Sequence, residues 1–319
     1  MGKARIKILN HRGAEMKVED IRRVLIIGAG SMGQQIGFQC AIHGYDVALY
    51  DISPEMLDKA KERIKKLCER SVSSGNMTRE QSDETIARIA ATNSPLEAAR
   101  DVDILSESVP EDPELKKKVF SQFNKLCPAR TIFTTNTSLL LPSMFAEATG
   151  RPERFAALHF HDVRISNVVD IMPHPGTSRQ TVDLLHAFAR KIGQIAIILH
   201  KEHHGYVFNA MLSSLLSAAL KLAADDVASI EDIDRAWMGV MHTDSGPFGI
   251  MDSIGLKTIW SITDYWANKS DNPQSQANAA FLKKYVDKSL LGEKTRQGFY
   301  SYPEPAYRKP GFLDGDDGK

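Results

Sequence analysis

The chain has 319 residues, an apolar share of 42% and a charged share of 25%, which describes a globular protein long enough for about two domains. Forty Lys and Arg balance forty Asp and Glu, so there is no electrostatic reason to expect nucleic acid or an anionic membrane as a partner. Cys40, Cys68 and Cys127 are widely spaced and form no CxxC pair, which argues against a disulfide framework or a metal site and fits a reducing cytoplasm.

Residues 1–20 mix Lys and Arg with Glu and Asp and carry no apolar h-region, so they read as an N-terminal extension and not as a signal peptide. No run of about eighteen apolar residues occurs, and no membrane span is expected. Arg22–Ile27 is a β-branched run that predicts a strand; a glycine turn and a helix over Ser31–His43 follow, ended by Gly44. Asp46–Tyr50 is a second strand closed by Asp51. Pro54 opens a helix over Glu55–Val72, and a turn at 73–76 leads to another over Thr78–Ala90. Strands are predicted at Asp103–Val109, Thr131–Thr135, Phe155–Phe160, Val168–Met172 and Gln194–Leu199, with helices over Pro113–Leu126 and Ser178–Ile192. Such alternation predicts a mostly parallel, doubly wound sheet spanning residues 21–201.

The pattern changes after His200. Gly205–Asp225 reads as one helix, apolar on most sides, followed by helices at Ile230–Met241, Gly249–Ala267 and Asn278–Lys288. Residues 202–302 are therefore expected to form an all-helical domain. A helix apolar all round must be buried, which predicts a homodimer through this domain. Residues 303–319, rich in Pro, Gly and Asp, are expected to be a loose tail.

The turn after the first strand is Gly28-Ala29-Gly30-Ser31-Met32-Gly33. Between a strand and a helix, with an acid closing the next strand, this is the dinucleotide-binding arrangement. Gly28 permits the tight turn, and Gly30 lets backbone amides, with those of Ser31 and Met32, approach a pyrophosphate. Gly33 lets the helix pack on the strand. Asp51 would accept hydrogen bonds from the adenosine ribose and repel a 2′-phosphate, so NAD is expected over NADP, with FAD the other dinucleotide such a turn accepts.

His159 lies near the end of one predicted strand and Asp170 in the next. A histidine backed by a carboxylate is what alcohol oxidation needs: imidazole takes the hydroxyl proton as hydride leaves the same carbon. Taken alone, a His and an Asp at this distance are more often structural. Thr135-Asn136-Thr137-Ser138 forms a polar loop after a strand, where open sheets place ligand groups, and Ser138 could bond a substrate oxygen or merely cap the loop. Asn209, Ser213 and Ser217 recur every four residues and share one stripe of an apolar helix, either bonding a neighbouring helix or lining a polar cleft.

With these residues in place, the chain resembles the 3-hydroxyacyl-CoA dehydrogenase family from about Val24 to Tyr302. The segments that carry the resemblance are GAGSMG (28–33), LYD (49–51), SESVPED (106–112), TNTSLLLPS (135–143), ALHF (157–160), GYVFN (205–209), EDIDRAW (231–237), GPFGIMDSIGL (246–256) and EKTRQGFYSY (293–302). The resemblance implies a Rossmann domain followed by a helical dimerisation domain. It implies a catalytic tetrad on Ser138, His159, Asp170 and Asn209, and NAD contacts from Glu111, Lys116 and Asn136.

Departures from the family pattern concentrate after the histidine. The family continues His-Phe-Phe-Asn-Pro-Val, whereas residues 159–164 read His-Phe-His-Asp-Val-Arg; Asp170 stands where the family has Glu, and Ala210 where it has Arg. A shorter acid requires its loop to move inward if it is to reach His159. Similar changes mark the diketoreductase branch, which this chain resembles more closely. His161, Asp162 and Arg164 either contact a different substrate or lie on an exposed loop. On the 55–72 helix, Leu57, Ala60, Ile64 and Cys68 form one face and basic residues the rest, a solvated face that could also meet CoA phosphates. The expected activity is interconversion of 3-hydroxyacyl and 3-oxoacyl compounds with NAD, the substrate lying between the domains. The alternatives are a CoA-free β-keto ester, diketo ester or carnitine-like hydroxy acid, and a non-catalytic NAD-binding protein.

Overall fold

A computed structural model describes residues 7–10, 13–269 and 271–315, and divides into two compact units, residues 1–207 and 208–319. The first unit is built on one eight-stranded sheet. Its strands are β1 (Arg23–Ile27), β2 (Asp46–Tyr50), β3 (Ile89–Thr92), β4 (Ile104–Glu107), β5 (Ile132–Thr135), β6 (Phe155–Phe160), β7 (Val168–Pro173) and β8 (Ile195–Ile198), in the order β3-β2-β1-β4-β5-β6-β7-β8. All pairings are parallel except β6 with β7. Strand order reverses between β1 and β4, so the crevice beyond their carboxyl ends is where an open sheet of this kind takes a ligand.

The helices are α1 (Ser31–Ile42), α2 (Pro54–Ser73), α3 (Arg79–Ala87), α4 (Pro95–Ala98), α5 (Pro113–Asn124) and α6 (Arg179–Lys191). Alternation along β1 explains the two layers: Val24 and Ile26 point into one core with Ile36, Cys40 and Ile64, and Leu25 and Ile27 into another with Phe120, Phe123 and Phe133. Burial on both faces is why these strands read as unbroken apolar runs.

One reading of this unit changes, and two features are added to it. The helix expected to reach Ala90 ends at Ala87, because Ile89–Thr92 pairs with Val47–Tyr50 as β3; sheet pairing overrides local helix preference there. Helix α4, capped by Ser94, was not anticipated. Part of the N-terminal extension is packed: Ile8 and Met16 are buried in the α1/α6-side core, and the Ile8 amide donates to the Gln180 side chain.

The second unit holds α7 (Phe208–Ala224), α8 (Ile230–Met241), α9 (Pro247–Ile254), α10 (Leu256–Lys269) and α11 (Pro273–Val286). The helix expected over Gly249–Ala267 is split at Gly255, whose φ of +105° only glycine adopts readily. Instead of a loose tail, residues 303–315 lie against α8: Tyr307 and Phe312 are buried, and the Arg235 guanidinium sits 4.8 Å over the Phe312 ring. Residues 316–319 of that expected tail fall outside the described residues. Among the described residues no helix is long and apolar enough to cross a membrane.

Candidate active site

The site starts at the β1–α1 turn. Gly28 has φ +101° and packs so closely on the β4 end that a Cβ would stand 2.6 Å from the Ser108 carbonyl oxygen. A Cβ on Gly33 would stand 1.9 Å from the Gly28 carbonyl oxygen, so α1 can approach β1 only without a side chain there. Gly30 is the N-cap of α1, provides no side-chain cap, and faces open space. The first amides of α1, those of Ser31 and Met32 among them, therefore lack a side-chain acceptor and suit a bound anion. Asp51 accepts the Ala29 amide at 2.8 Å and the Ser53 amide at 2.9 Å, which ties the glycine turn to the end of β2. A turn closed to side chains and open at a helix start fits a dinucleotide pyrophosphate.

Beside it, β4 delivers Glu107, fully buried, and α5 delivers Lys116, 1% exposed. The Lys116 amine meets Glu107 at 2.7 Å, Glu111 at 3.2 Å and the Val109 carbonyl at 3.3 Å. Its three donors are thus used inside the protein, and it holds Glu111 in place. One oxygen of Glu111 accepts the Ser138 amide at 3.0 Å, the Leu139 amide at 3.1 Å and the Thr137 hydroxyl. Burial would raise the Glu111 carboxyl, but the Thr137 hydroxyl, Lys116 and the loop amides outweigh it and hold the group below its ordinary range. Asn136 bridges β4 and β6: its amide donates to the Glu107 carbonyl and its side-chain oxygen accepts the Phe160 amide, both at 2.8 Å. This lattice fixes the loop that carries Ser138.

The antiparallel β6–β7 register sets His159 directly opposite Asp170. His159 Nδ1 lies 3.4 Å from Asp170 Oδ2, so the shorter acid does reach. The other ring nitrogen, Nε2, lies 3.3 Å from Ser138 Oγ. Tyr206 stacks on the imidazole at 4.4 Å between centroids and 13° between planes, and its hydroxyl donates to the Thr137 carbonyl at 2.6 Å. Burial lowers the His159 pKa below its ordinary 6.5, against the pull of Asp170, so the ring is held neutral. Burial works the other way on Asp170, but hydrogen bonds from His159 and His161 prevail and keep it ionised.

Just past the end of β6, His161 turns toward the same acid, and its Nε2 lies 3.1 Å from Asp170 Oδ2. Asp162 and Arg164 instead pair with each other on the exposed loop. The open question about these three is thus divided: His161 joins the site, the other two face solvent. Glu107, Thr137, His161 as an Asp170 partner, and Tyr206 were not assigned from sequence. An acid in the otherwise apolar β4 and the tyrosine hydroxyl in GYVFN were the available signals. In the second unit Asn209 is half-buried in the first turn of α7; Ser213 bonds the Ala210 carbonyl, and Ser217 accepts from Asn278 of α11, so the lower part of that stripe serves helix packing. On α2, Leu57, Ala60, Ile64 and Cys68 are the buried face, and its Lys59 and Lys61 are salt-bridged to Glu55 and Asp58.

Residues 23–203 match the model of the 3-hydroxyacyl-CoA dehydrogenase NAD-binding domain, and residues 205–302 match that of the 3-hydroxyacyl-CoA dehydrogenase C-terminal domain. The chain belongs to the 3-hydroxyacyl-CoA dehydrogenase family. It is an NAD-dependent oxidoreductase of that family, with a Rossmann-type domain followed by helices. A probable 3-hydroxybutyryl-CoA dehydrogenase of Bacillus subtilis (strain 168) is 31% identical over 89% of this chain and 99% of its own length. The mitochondrial hydroxyacyl-coenzyme A dehydrogenase of Homo sapiens is 31% identical over 88% of this chain and 91% of its own. Among solved structures, a diketoreductase described in work on dual catalysis of dicarbonyl compounds shares 36% identity at a TM-score of 0.81, covering 88% of this chain and 99% of that one. The (S)-3-hydroxybutyryl-CoA dehydrogenase of Ralstonia eutropha reaches the same TM-score at 28% identity, covering 89% and 100%.

Proposed function

We propose that the chain transfers a hydride reversibly between NAD and carbon 3 of a 3-hydroxyacyl or 3-oxoacyl compound, with His159 as general acid and base. The observation that carries this reading is the His159 ring itself, neutral, stacked under Tyr206, with Nδ1 on Asp170 and Nε2 facing Ser138. With Nδ1–H donating to Asp170, the free lone pair is on Nε2, where a 3-hydroxyl proton would arrive. Asp170 fixes that tautomer and stabilises the imidazolium once the proton is taken. Ser138 holds the substrate oxygen beside Nε2, and Asn209 is assigned to the substrate as well. NAD, when bound, accepts the hydride that leaves carbon 3. Gly28, Gly30, Ser31, Met32 and Gly33 would cradle its pyrophosphate, Asp51 would take the ribose, and Glu111 and Asn136 would contact NAD, with Lys116 acting through Glu111.

A second reading within the same chemistry is a CoA-free β-keto ester, diketo ester or carnitine-like hydroxy acid. It is favoured by the added imidazole of His161 on Asp170. A non-catalytic NAD-binding protein would have no use for a neutral, tautomer-fixed histidine. Three free, buried cysteines suit a cytoplasmic setting, and exposed apolar residues on α7 suit a homodimer.

The test is NADH oxidation with acetoacetyl-CoA and, separately, with ethyl acetoacetate. Turnover of the thioester alone removes the CoA-free reading; turnover of neither, with NAD still bound, favours the binding protein. His159→Gln is expected to abolish turnover and leave NAD affinity nearly unchanged. An equal loss of NAD binding would remove His159 from the proton-transfer role.

A further inference from the structure

His159, His161 and Asp170 make a group that acid–base chemistry does not require in full. The antiparallel pairing sets Asp170 opposite His159, and His161, one residue past the end of β6, turns its ring toward the same carboxylate. One carboxylate oxygen, Asp170 Oδ2, lies 3.4 Å from His159 Nδ1 and 3.1 Å from His161 Nε2, and the three side chains each bring one ligand atom within 4.8 Å of the others. Ligand atoms on a tetrahedral zinc ion at about 2.0–2.1 Å stand about 3.3 Å apart, so both distances to Asp170 already match and the two imidazoles draw together to share one ion. The side chains are 4%, 14% and 1% exposed in that order, and the second carboxylate oxygen, Asp170 Oδ1, is buried without a hydrogen-bond partner. A carboxylate with spare capacity, facing one imidazole held by strand pairing and the Tyr206 ring and a second that packs edge-on against the first, is a two-nitrogen, one-oxygen donor set.

We propose that His159 Nδ1, His161 Nε2 and Asp170 bind a zinc ion, with a fourth position left for water. Zinc suits this set of borderline nitrogen donors and one carboxylate. To bind it, each imidazole moves its proton to its other ring nitrogen. His159 then carries that proton on Nε2, where no lone pair remains to take one from a hydroxyl. Zinc and proton transfer therefore exclude each other at His159, and zinc is a reversible inhibitor of the reaction; this consequence rests on the acid–base reading above, whereas the binding does not.

The experiment titrates zinc chloride into metal-free protein by calorimetry, with cobalt(II) absorption as a second readout of nitrogen ligation. One ion per chain is expected, and His161→Phe and Asp170→Asn are each expected to weaken binding by about a hundredfold or more. NAD affinity, measured in parallel, is expected to hold in both variants and so reports that they are folded. Absence of stoichiometric binding, or binding that survives both substitutions, overturns the site. In the NADH oxidation assay, zinc is expected to suppress turnover at the concentration that saturates the site, and EDTA to restore it. Full turnover with zinc bound overturns the exclusion. Zinc binding by a chain that turns over no 3-oxoacyl substrate in zinc-free buffer supports the metal site and counts against the proposed reaction alone.

Discussion

Two residues show how directly geometry limits this site. Gly33 has a backbone oxygen, not a flexible side chain, where its Cβ would go. Gly33→Ala must therefore push α1 off β1, at a cost on the order of 1–3 kcal/mol for the overpacking, and it displaces the amides that face the pyrophosphate. Isothermal titration with NAD is expected to show at least a tenfold loss of affinity, and an unchanged value would mean that the helix start is not the pyrophosphate site. His159 is held neutral because burial disfavours its charged form more than Asp170 favours it. A depressed histidine pKa keeps the base form available to lower pH, so the acid limb of kcat/KM for alcohol oxidation should be centred below pH 6.5. An acid limb centred above pH 6.5 would contradict the environment described for this ring.

At the level of elements, the sequence was legible where one pattern dominated. The β1–α1–β2 unit carries turn glycines, a capped strand end and a helical period together, and its boundaries agree to within about one residue. Strand β3 was not legible because Ile-Ala-Ala-Thr has no local signal stronger than the helix before it; its pairing with β2 is a long-range fact. Nor could composition show that a stretch rich in Pro, Gly and Asp hides Tyr307 and Phe312 in a core. The candidate site was legible as chemistry, but the partners that hold it, Glu107, Thr137 and Tyr206, emerged only from the packing. The α9 start is a similar case. No side chain of its own caps it; instead Asp234 of α8 accepts the Phe248 and Gly249 amides at 2.8 and 3.0 Å, and the Tyr300 hydroxyl at 2.9 Å. Burial still raises the Asp234 carboxyl from 3.8 to about 6. An acid whose folded pKa is raised lends stability that is complete below pH 3.8 and lost as pH rises through about 6. In denaturant titrations the advantage of the wild type over Asp234→Asn should therefore shrink by up to about 3 kcal/mol between pH 4 and pH 7. A gap that stays constant or widens over that interval would show that Asp234 is ionised throughout.

For the whole molecule, α7 makes the assembly argument specific. Leu216, Ala219 and Leu220 are buried in the helical core, so one face of α7 is spoken for. On another face, Phe208, Met211, Leu215, Ala218 and Leu222 follow one another at alternating steps of three and four, the spacing of a helix–helix seam. Phe208 is 49% exposed, Met211 61% and Leu222 40%. An apolar seam of this length on a protein surface marks an interface, and closed twofold association of identical chains is the commonest way to cover one. Sedimentation at micromolar concentration is expected to give twice the chain mass, and Met211→Glu with Leu222→Glu to give the monomer, because each substitution would bury an unpaired carboxylate in the seam. Asn209 lies inside the same stretch of helix, between Phe208 and Met211. Loss of the dimer is thus expected to raise KM more than it lowers kcat, since it loosens a residue assigned to substrate while leaving His159 and Asp170 on their strands. A wild-type monomer would refute the dimer, and a double variant that still sediments as a dimer would move its interface off α7.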